Sequence, residues 1–285
     1  MGILDGICTS KFKASKSDKI LIEYINKNAH KCVYMSISEL ARLVSLGEAT
    51  ITRFSRKLGF SGYQEFKLAL AKQLTKSSRK SFINTVVSID EPVEETAQKL
   101  FVSHNNVLEE TLKRLDYSNV IKIRELILNC KRLYFFGIGN SGIVANDGNY
   151  KFMRIGINSV PVNDSHTMMM LSSIMERGDV VFAISHTGET REILKAVELA
   201  KQRKAKIISL TESRDNKLKE LSDINLSYFS KETLFETGSM LSKFVQIFLL
   251  ELIYAEVIKE NYDEAIEKKV STTNALEKFK ELDWN

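Results

Sequence analysis

Val180-Val181-Phe182-Ala183-Ile184-Ser185-His186-Thr187-Gly188-Glu189-Thr190 opens as an unbroken apolar run, continues as a small hydroxyl-rich turn, and leads into a helical pattern over Glu189–Lys201. The apolar run is short and bounded by turn residues, which predicts a strand covered on both faces. The first N–H groups of the helix that follows lack intrahelical partners and carry partial positive charge. An anion placed there answers both deficits. The hydroxyls of Ser185, Thr187 and Thr190 supply further donors, and Gly188 allows close backbone approach. A second reading stays open: one of these hydroxyls caps the helix and nothing binds.

The surrounding chain repeats the strand-turn-helix unit. Leu133–Phe136 reads as a buried strand, followed by a glycine-rich turn and a helix through Met153; Ser159–Val162 is a strand, 166–175 a helix, and Ile207–Leu210 a strand after Lys201. Such alternation implies a parallel sheet with right-handed crossovers and helices on both faces. Ligands of such sheets bind beyond the carboxyl ends of strands, where Gly137–Gly142 and Ser185–Thr190 both fall. Gly139, Asn140, Ser141, Ser185, His186, Thr187, Gly188 and Thr190 are therefore the candidate ligand-binding residues. Gly137-Ile138-Gly139-Asn140-Ser141-Gly142 also satisfies the dinucleotide pattern G-x-G-x-x-G, with Asp164 after the next strand, so a dinucleotide site and a purely packing role for the glycines remain as alternatives. His186 either donates to a phosphate and titrates near neutrality or is an exposed loop histidine. Asp164-Ser165-His166 either lines the pocket or caps the helix beginning there. Met168, Met169, Met170 and Met175 are read as core first and adaptable surface second. The long apolar pattern over 239–259 predicts a helix buried on several sides, including in a subunit interface.

The first 80 residues contain 15 Lys or Arg and 6 Asp or Glu, whereas the remainder is mildly acidic within an overall net charge of +5. That asymmetry points to a polyanionic partner for the N-terminal piece alone, while composition by itself favours the alternative of solvated surface lysines with no partner. Between Asp18 and Leu74 the apolar residues fall at helical spacing in short bursts, which predicts an all-α bundle. Ile20, Ile22, Tyr24 and Ile25 mark a first helix; Ser36 or Ser38 caps a second through Leu40, Ala41, Leu43 and Val44. Gly47 is expected to supply the permissive backbone of a tight turn before a third helix over Glu48–Leu58. In that helix Ile51, Phe54 and Leu58 face inward and Glu48, Thr50, Thr52, Arg53, Arg56 and Lys57 face outward. A helix-turn-helix presents its second helix to the major groove of DNA. On that geometry Arg53 and Thr50 are expected to read bases, with Arg56, Lys57 and Lys67 on the phosphate backbone.

At 285 residues and 44% hydrophobic content the chain can hold one large or two modest cores. No apolar run approaches the ~18 residues of a membrane helix, and the N-terminus lacks a charged flank, apolar core and cleavage pattern, so a soluble cytoplasmic protein is expected. Cys8, Cys32 and Cys130 fit neither a disulfide framework nor a zinc ligand set; reduced packing thiols, no metal and no cofactor are expected. Ser77–Ser81 breaks the helical pattern as a hinge; helices resume from Pro92 to about Leu115 and again from Asp116. The expected organisation is a DNA-binding domain over 1–80, a helical linker over 81–116 and an α/β domain over 117–285.

Met35-Ser36-Ile37-Ser38-Glu39-Leu40-Ala41, Glu48-Ala49-Thr50-Ile51-Thr52-Arg53-Phe54, Arg56-Lys57-Leu58-Gly59-Phe60-Ser61-Gly62-Tyr63 and Glu65-Phe66-Lys67 closely resemble the N-terminal domain of RpiR-type bacterial transcriptional regulators, over about residues 1–77. That family usually carries Ser where this chain has Gly47. Gly137-x-Gly139-x-Ser141 and Ser185-x-Thr187-Gly188-x-Thr190 resemble the two motifs of the SIS (sugar isomerase) domain, over about residues 120–260, with Thr187 where Ser is commoner. The resemblance implies a phosphorylated-sugar effector, with Ser141 touching the sugar or its phosphate and Ser185, Thr187 and Thr190 holding the phosphate. It also implies a homodimer or homotetramer on a double-stranded operator with symmetric half-sites. SIS domains also occur in isomerases and lyases, which need a general base such as Glu189, Glu192, Glu232 or Glu236. The fused DNA-binding piece weighs against that alternative, and no enzymatic activity is expected.

Overall fold

Four short amphipathic helices build the first unit of the chain. In the computed structural model, which describes residues 14–33, 35–76, 87–88, 90–230 and 240–280, α1 is Lys16–Cys32, α2 Ile37–Leu43, α3 Glu48–Lys57 and α4 Tyr63–Lys76. Leu21, Ile25, Ala29 and Cys32 make the buried stripe of α1, at the spacing of successive turns. They meet Leu40 of α2, Ile51 and Phe54 of α3, and Phe66 and Leu70 of α4 in one core, with Leu58 just beyond α3. Phe54 and Phe66 meet edge to face at 5.7 Å. Ser36 is the cap of α2, its hydroxyl accepting Glu39 N at 3.0 Å. The α2–α3 turn departs from expectation. Its left-handed residue is Ser45 (φ +54°), while Gly47 sits at φ −74°, a conformation open to any residue. Gly47 thus does not supply the special backbone of this turn.

The hinge at Ser77–Ser81, Cys8, and the carboxylates of Glu232 and Glu236 lie outside the described residues. The chain divides into two compact units between Ser103 and His104, a point inside α5 (Val93–Arg114). The second unit continues with α6 (Tyr117–Leu128), β1 (Arg132–Phe136), α7 (Asn140–Arg154), β2 (Ser159–Val162), α8 (Ser165–Ile174), β3 (Asp179–Ile184), α9 (Arg191–Gln202), β4 (Lys206–Glu212), α10 (Lys217–Leu221), β5 (Ile224–Tyr228), α11 (Met240–Glu260) and α12 (Tyr262–Lys280). The five strands form one parallel sheet in the order β2-β1-β3-β4-β5.

Alternation along the strands divides the unit into two apolar layers. Leu133, Phe135, Val180, Phe182 and Ile208 face α6, α7 and α11 through Ile123, Phe152, Val245 and Leu249. Tyr134, Phe136, Val181, Ala183 and Ile207 face α8, α9 and α10 through Met168, Ile193, Val197 and Leu218. β3 is buried throughout because both of its faces are covered. The breadth of the apolar pattern in α11 comes from packing against α6, α7 and α12 within this unit. Met168 and Met175 are core, while Met169 and Met170 are exposed. Burial pushes the Cys32 and Cys130 thiols up to about 11, which keeps both protonated and unreactive. Among the described residues no helix is long and apolar enough to cross a membrane.

Candidate functional sites

The strand order fixes where a ligand can enter the second unit. From β1 the sheet grows to β2 on one side and to β3 on the other, so the connections leave β1 and β3 toward opposite faces and open a crevice beyond their carboxyl ends. β1 and β3 are hydrogen-bonded neighbours, Phe136 standing opposite Ala183. The turns that follow them, Gly137–Gly142 and Ser185–Thr190, therefore emerge side by side.

Ser185 is buried and continues the sheet, its N–H donating to Leu210 O at 3.1 Å. Its Oγ lies 2.9 Å from Thr190 Oγ1 and accepts Gly188 N at 3.2 Å, closing the turn on itself. Thr187 is exposed, with Oγ1 accepting Glu189 N at 3.2 Å. Gly188 has φ +64°, and a β-carbon there would overlap the Asn216 side chain. Asn216 braces the turn from the β4–α10 connection, capping α10 through Lys219 N at 2.9 Å and donating to Arg214 O at 2.8 Å. Leu218 N also donates to Gly188 O at 3.1 Å. Thr190 is the N-cap residue of α9, yet its side chain makes no capping hydrogen bond. The reading of this turn as a simple side-chain cap fails on that point.

The first turn follows the same plan. Gly139, at φ +60°, precedes α7 as its N-cap and brings no side-chain donor or acceptor. Gly137 and Gly142 serve close packing, since a β-carbon at Gly137 would overlap Ser141 O and one at Gly142 would crowd Gly137 O at 3.0 Å. By contrast Ser36, Asp116, Asp164 and Asn216 cap α2, α6, α8 and α10 with side-chain oxygens. The starts of α7 and α9 thus carry no side-chain cap at the place where the sheet opens. Asp164 caps α8, accepting Thr167 N at 2.8 Å, which holds its carboxyl below the usual range.

His186 corrects its expected role. It is half-buried, and burial, with the nearby Arg214 cation second, lowers its pKa to about 4. It is therefore neutral near pH 7 and is neither exposed nor titrating there. Nδ1 lies 2.8 Å from Tyr228 Oη, which receives Gln246 Nε2 at 2.7 Å. Arg214 stands on the same rim, its Nε donating to Glu212 Oε1 at 2.7 Å. These neighbours escaped the sequence reading because they arrive from β4, β5 and α11; their one local signal is a cluster of polar residues just after the apolar run of β4. Glu189 is tied to α10, accepting Lys217 N at 3.0 Å. Among the described residues no group of His, Cys, Asp and Glu is arranged to hold a metal ion.

In the first unit, α3 exposes Glu48, Arg53, Arg56 and Lys57, with Thr50 and Thr52 half-buried. Arg53 Nη2 lies 3.4 Å from Thr50 Oγ1, so the two expected base readers sit together one turn apart. Arg56 Nε donates to Ser61 O at 3.3 Å. Glu48 joins the two helices of the motif by accepting Ser38 Oγ at 2.6 Å, and Thr52 bonds back to Glu48 O at 3.1 Å. One expected phosphate contact is corrected. Lys67 is only 4% exposed and donates to Met35 O at 2.7 Å, with its ammonium over the Tyr63 ring. Lys57 stays exposed while forming a 2.7 Å ion pair with the buried Asp18 of α1. Gly47 leaves α3, like α7 and α9, without a side-chain cap.

Comparisons with known proteins agree with both halves. A model of the helix-turn-helix domain of the rpiR family matches residues 1–77, and a SIS domain model matches residues 126–255. The chain is 54% identical to an HTH-type transcriptional regulator of Clostridium perfringens, covering 97% of this chain and 99% of that one. It is 33% identical to an HTH-type transcriptional regulator of Haemophilus influenzae, covering 92% of each. Among solved structures, the Vibrio vulnificus NanR protein complexed with ManNAc-6P superposes with a TM-score of 0.77 at 27% identity, covering 92% of this chain and 94% of NanR.

Proposed function

We propose, since the chain belongs to the rpiR family of helix-turn-helix transcriptional regulators and carries a SIS domain, that a phosphorylated sugar held between its Gly137–Gly142 and Ser185–Thr190 turns sets its affinity for an operator. The observation that carries this reading is the pair of uncapped helix starts beside the β1–β3 crevice, where Thr190 turns its hydroxyl to Ser185 instead of capping α9. Two helix N-termini without a side-chain cap, with their dipoles aimed at the crevice, favour a dianionic group over a neutral one. Gly139, Asn140, Ser141, Ser185, Thr187, Gly188 and Thr190 form the ligand site in this reading, and the phosphosugar bound to NanR supports the ligand class.

Residues 1–80 bind DNA, 81–116 link, and 117–285 sense. Arg53 and Thr50 read bases, Arg56 and the uncapped start of α3 meet phosphates, and Glu48 and Thr52 shape the helix that presents them. The regulator works as a homodimer or homotetramer on a two-fold operator, in the cytoplasm where the DNA is, and turns over no substrate. A thermal-shift screen of phosphosugars, including N-acetylmannosamine 6-phosphate, tests the reading. A true effector at 100 times its dissociation constant stabilises the fold by about 2.7 kcal/mol. Stabilisation by dinucleotides alone, or conversion of a phosphosugar to product, defeats it.

A further inference from the structure

The proposed cradle lies beyond the carboxyl ends of β1 and β3; the amino-terminal edge of the same sheet is concave as well. Among the described residues a cavity of about 480 Å³ opens there, lined by Arg177, Lys201, Lys204, Lys206 and Asp223 around the small residues Gly178 and Ala205. Gly178 immediately precedes β3, Lys206 begins β4 and Asp223 immediately precedes β5. The length of β3, about 20 Å, therefore separates this cavity from the cradle. We infer that it is a second anion site, for an oligophosphate that is either inorganic or carried by a nucleoside.

The charges around the cavity do not balance. Four cations face one carboxylate, and that carboxylate is already engaged, Asp223 accepting both Lys206 Nζ and Ile207 N at 2.8 Å. Lys201 Nζ donates to Leu221 O at 2.7 Å. Arg177 and Lys204 make no side-chain hydrogen bond or ion pair among the described residues. The neighbouring carboxylates are taken too: Glu176 pairs with Lys131 at 2.7 Å, and the buried Asp179 accepts Glu176 N at 3.0 Å. Like charges gathered around one concavity repel, and a multiply charged anion relieves that repulsion. Guanidinium and ammonium groups are strong partners for phosphate oxygens. Because the four cations share one concavity, they suit a compact polyanion better than the evenly spaced phosphates of a duplex.

Backbone geometry points the same way independently. α9 closes in a Schellman turn, with Ala205 N donating to Ala200 O at 3.1 Å and Lys204 N to Lys201 O at 3.0 Å. Glycine is the usual residue at the left-handed position of such a turn, and here that position holds Lys204 at φ +67°. The chain thus keeps a strained cation on the cavity wall where an unstrained neutral residue would close the helix. Lys201 sits in the last turn of α9, where the helix dipole favours a cation, but Arg177 and Lys206 belong to no helix.

Calorimetric titration of the full-length protein with inorganic tripolyphosphate, in magnesium-free buffer without DNA, tests the site, and the amide NMR shifts of Gly178 and Ala205 locate it. Both amides are expected to shift. Lys204→Gly is expected to raise stability by removing strain and yet weaken tripolyphosphate about tenfold. Arg177→Gln is expected to weaken it by a similar factor at unchanged stability, while Thr187→Ala in the cradle leaves it unaltered. ATP binding more tightly than tripolyphosphate supports the site and names a nucleoside carrier; equal or weaker binding supports it and names the inorganic chain. A more stable Lys204→Gly with unchanged affinity overturns the inference, as do silent amides at Gly178 and Ala205. An equal loss from Lys195→Gln, at an exposed position of α9 outside the cavity, also overturns it by exposing diffuse charge attraction, and loss of binding in Thr187→Ala would put the anion in the cradle instead.

Discussion

Arg53 and Lys67 are both basic residues on helices of the same small unit, yet their environments assign them opposite work. Arg53 is exposed on α3 beside Thr50, whereas Lys67 is buried with its ammonium on the Met35 carbonyl. Arg53→Ala is expected to weaken operator binding by about 1–3 kcal/mol and relax base preference at one position, with no change in stability. Lys67→Met is expected to do the reverse. It leaves a buried carbonyl without its charged donor, costing about 1–3 kcal/mol of stability, while operator affinity of the folded protein is retained. Urea unfolding and fluorescence anisotropy with labelled DNA separate the two. If Lys67→Met weakens DNA binding at unchanged stability, the buried assignment is wrong. Sequence alone could not make this distinction, because a lysine on a helix is by default a surface charge and its burial depends on an acceptor 32 residues away.

At the scale of elements, legibility followed the strength of the local pattern. β1, β3 and β4 were readable because strands covered on both faces are short continuous apolar runs. β5 was not, since its outer face carries Asn225 and Ser227, which bond to Ser209 and Thr211 of β4 and to each other. The five-residue α10 is too short to show a period. Both cradle turns were legible from hydroxyls and glycines placed just after strands; their bracing by Asn216 and their link to Tyr228 were not, because those partners arrive from later elements. The bracing gives the next prediction. Gly188→Ala places a β-carbon into the Asn216 side chain at a positive φ, which is expected to cost about 1–3 kcal/mol of stability by strain. It should also loosen α10 from the turn and lower ligand affinity. Gly139→Ala meets no neighbour, so its cost is backbone strain alone, at φ +60° and ψ −126°. A Gly188→Ala loss that is unchanged when Asn216 is also replaced by Ala would show that Asn216 does not brace the turn.

For the whole molecule the proposed function asks how a ligand in one unit would alter DNA binding by the other, and thermodynamics constrains the answer without a path. A ligand shifts the DNA-binding equilibrium only by its difference in affinity for the two arrangements, and the coupling is reciprocal. In the proposed reading the basic first 80 residues supply a salt-dependent attraction to DNA whether or not the effector is bound. Thr187→Ala should therefore leave ligand-free operator binding intact and abolish the effector response. Because Thr187 is exposed, its stability should change by no more than about 0.5 kcal/mol. Ser185→Ala should also lose the response, and at a stability cost of about 1 kcal/mol, since Gly188 N and Thr190 both lose a partner there. In wild type, operator affinity measured by anisotropy with and without the phosphosugar should change by the same factor as phosphosugar affinity measured by calorimetry with and without operator. Unequal factors would mean that an additional equilibrium, such as a change in oligomeric state, links the two ligands. A response that survives in Thr187→Ala would place the phosphate elsewhere in the molecule.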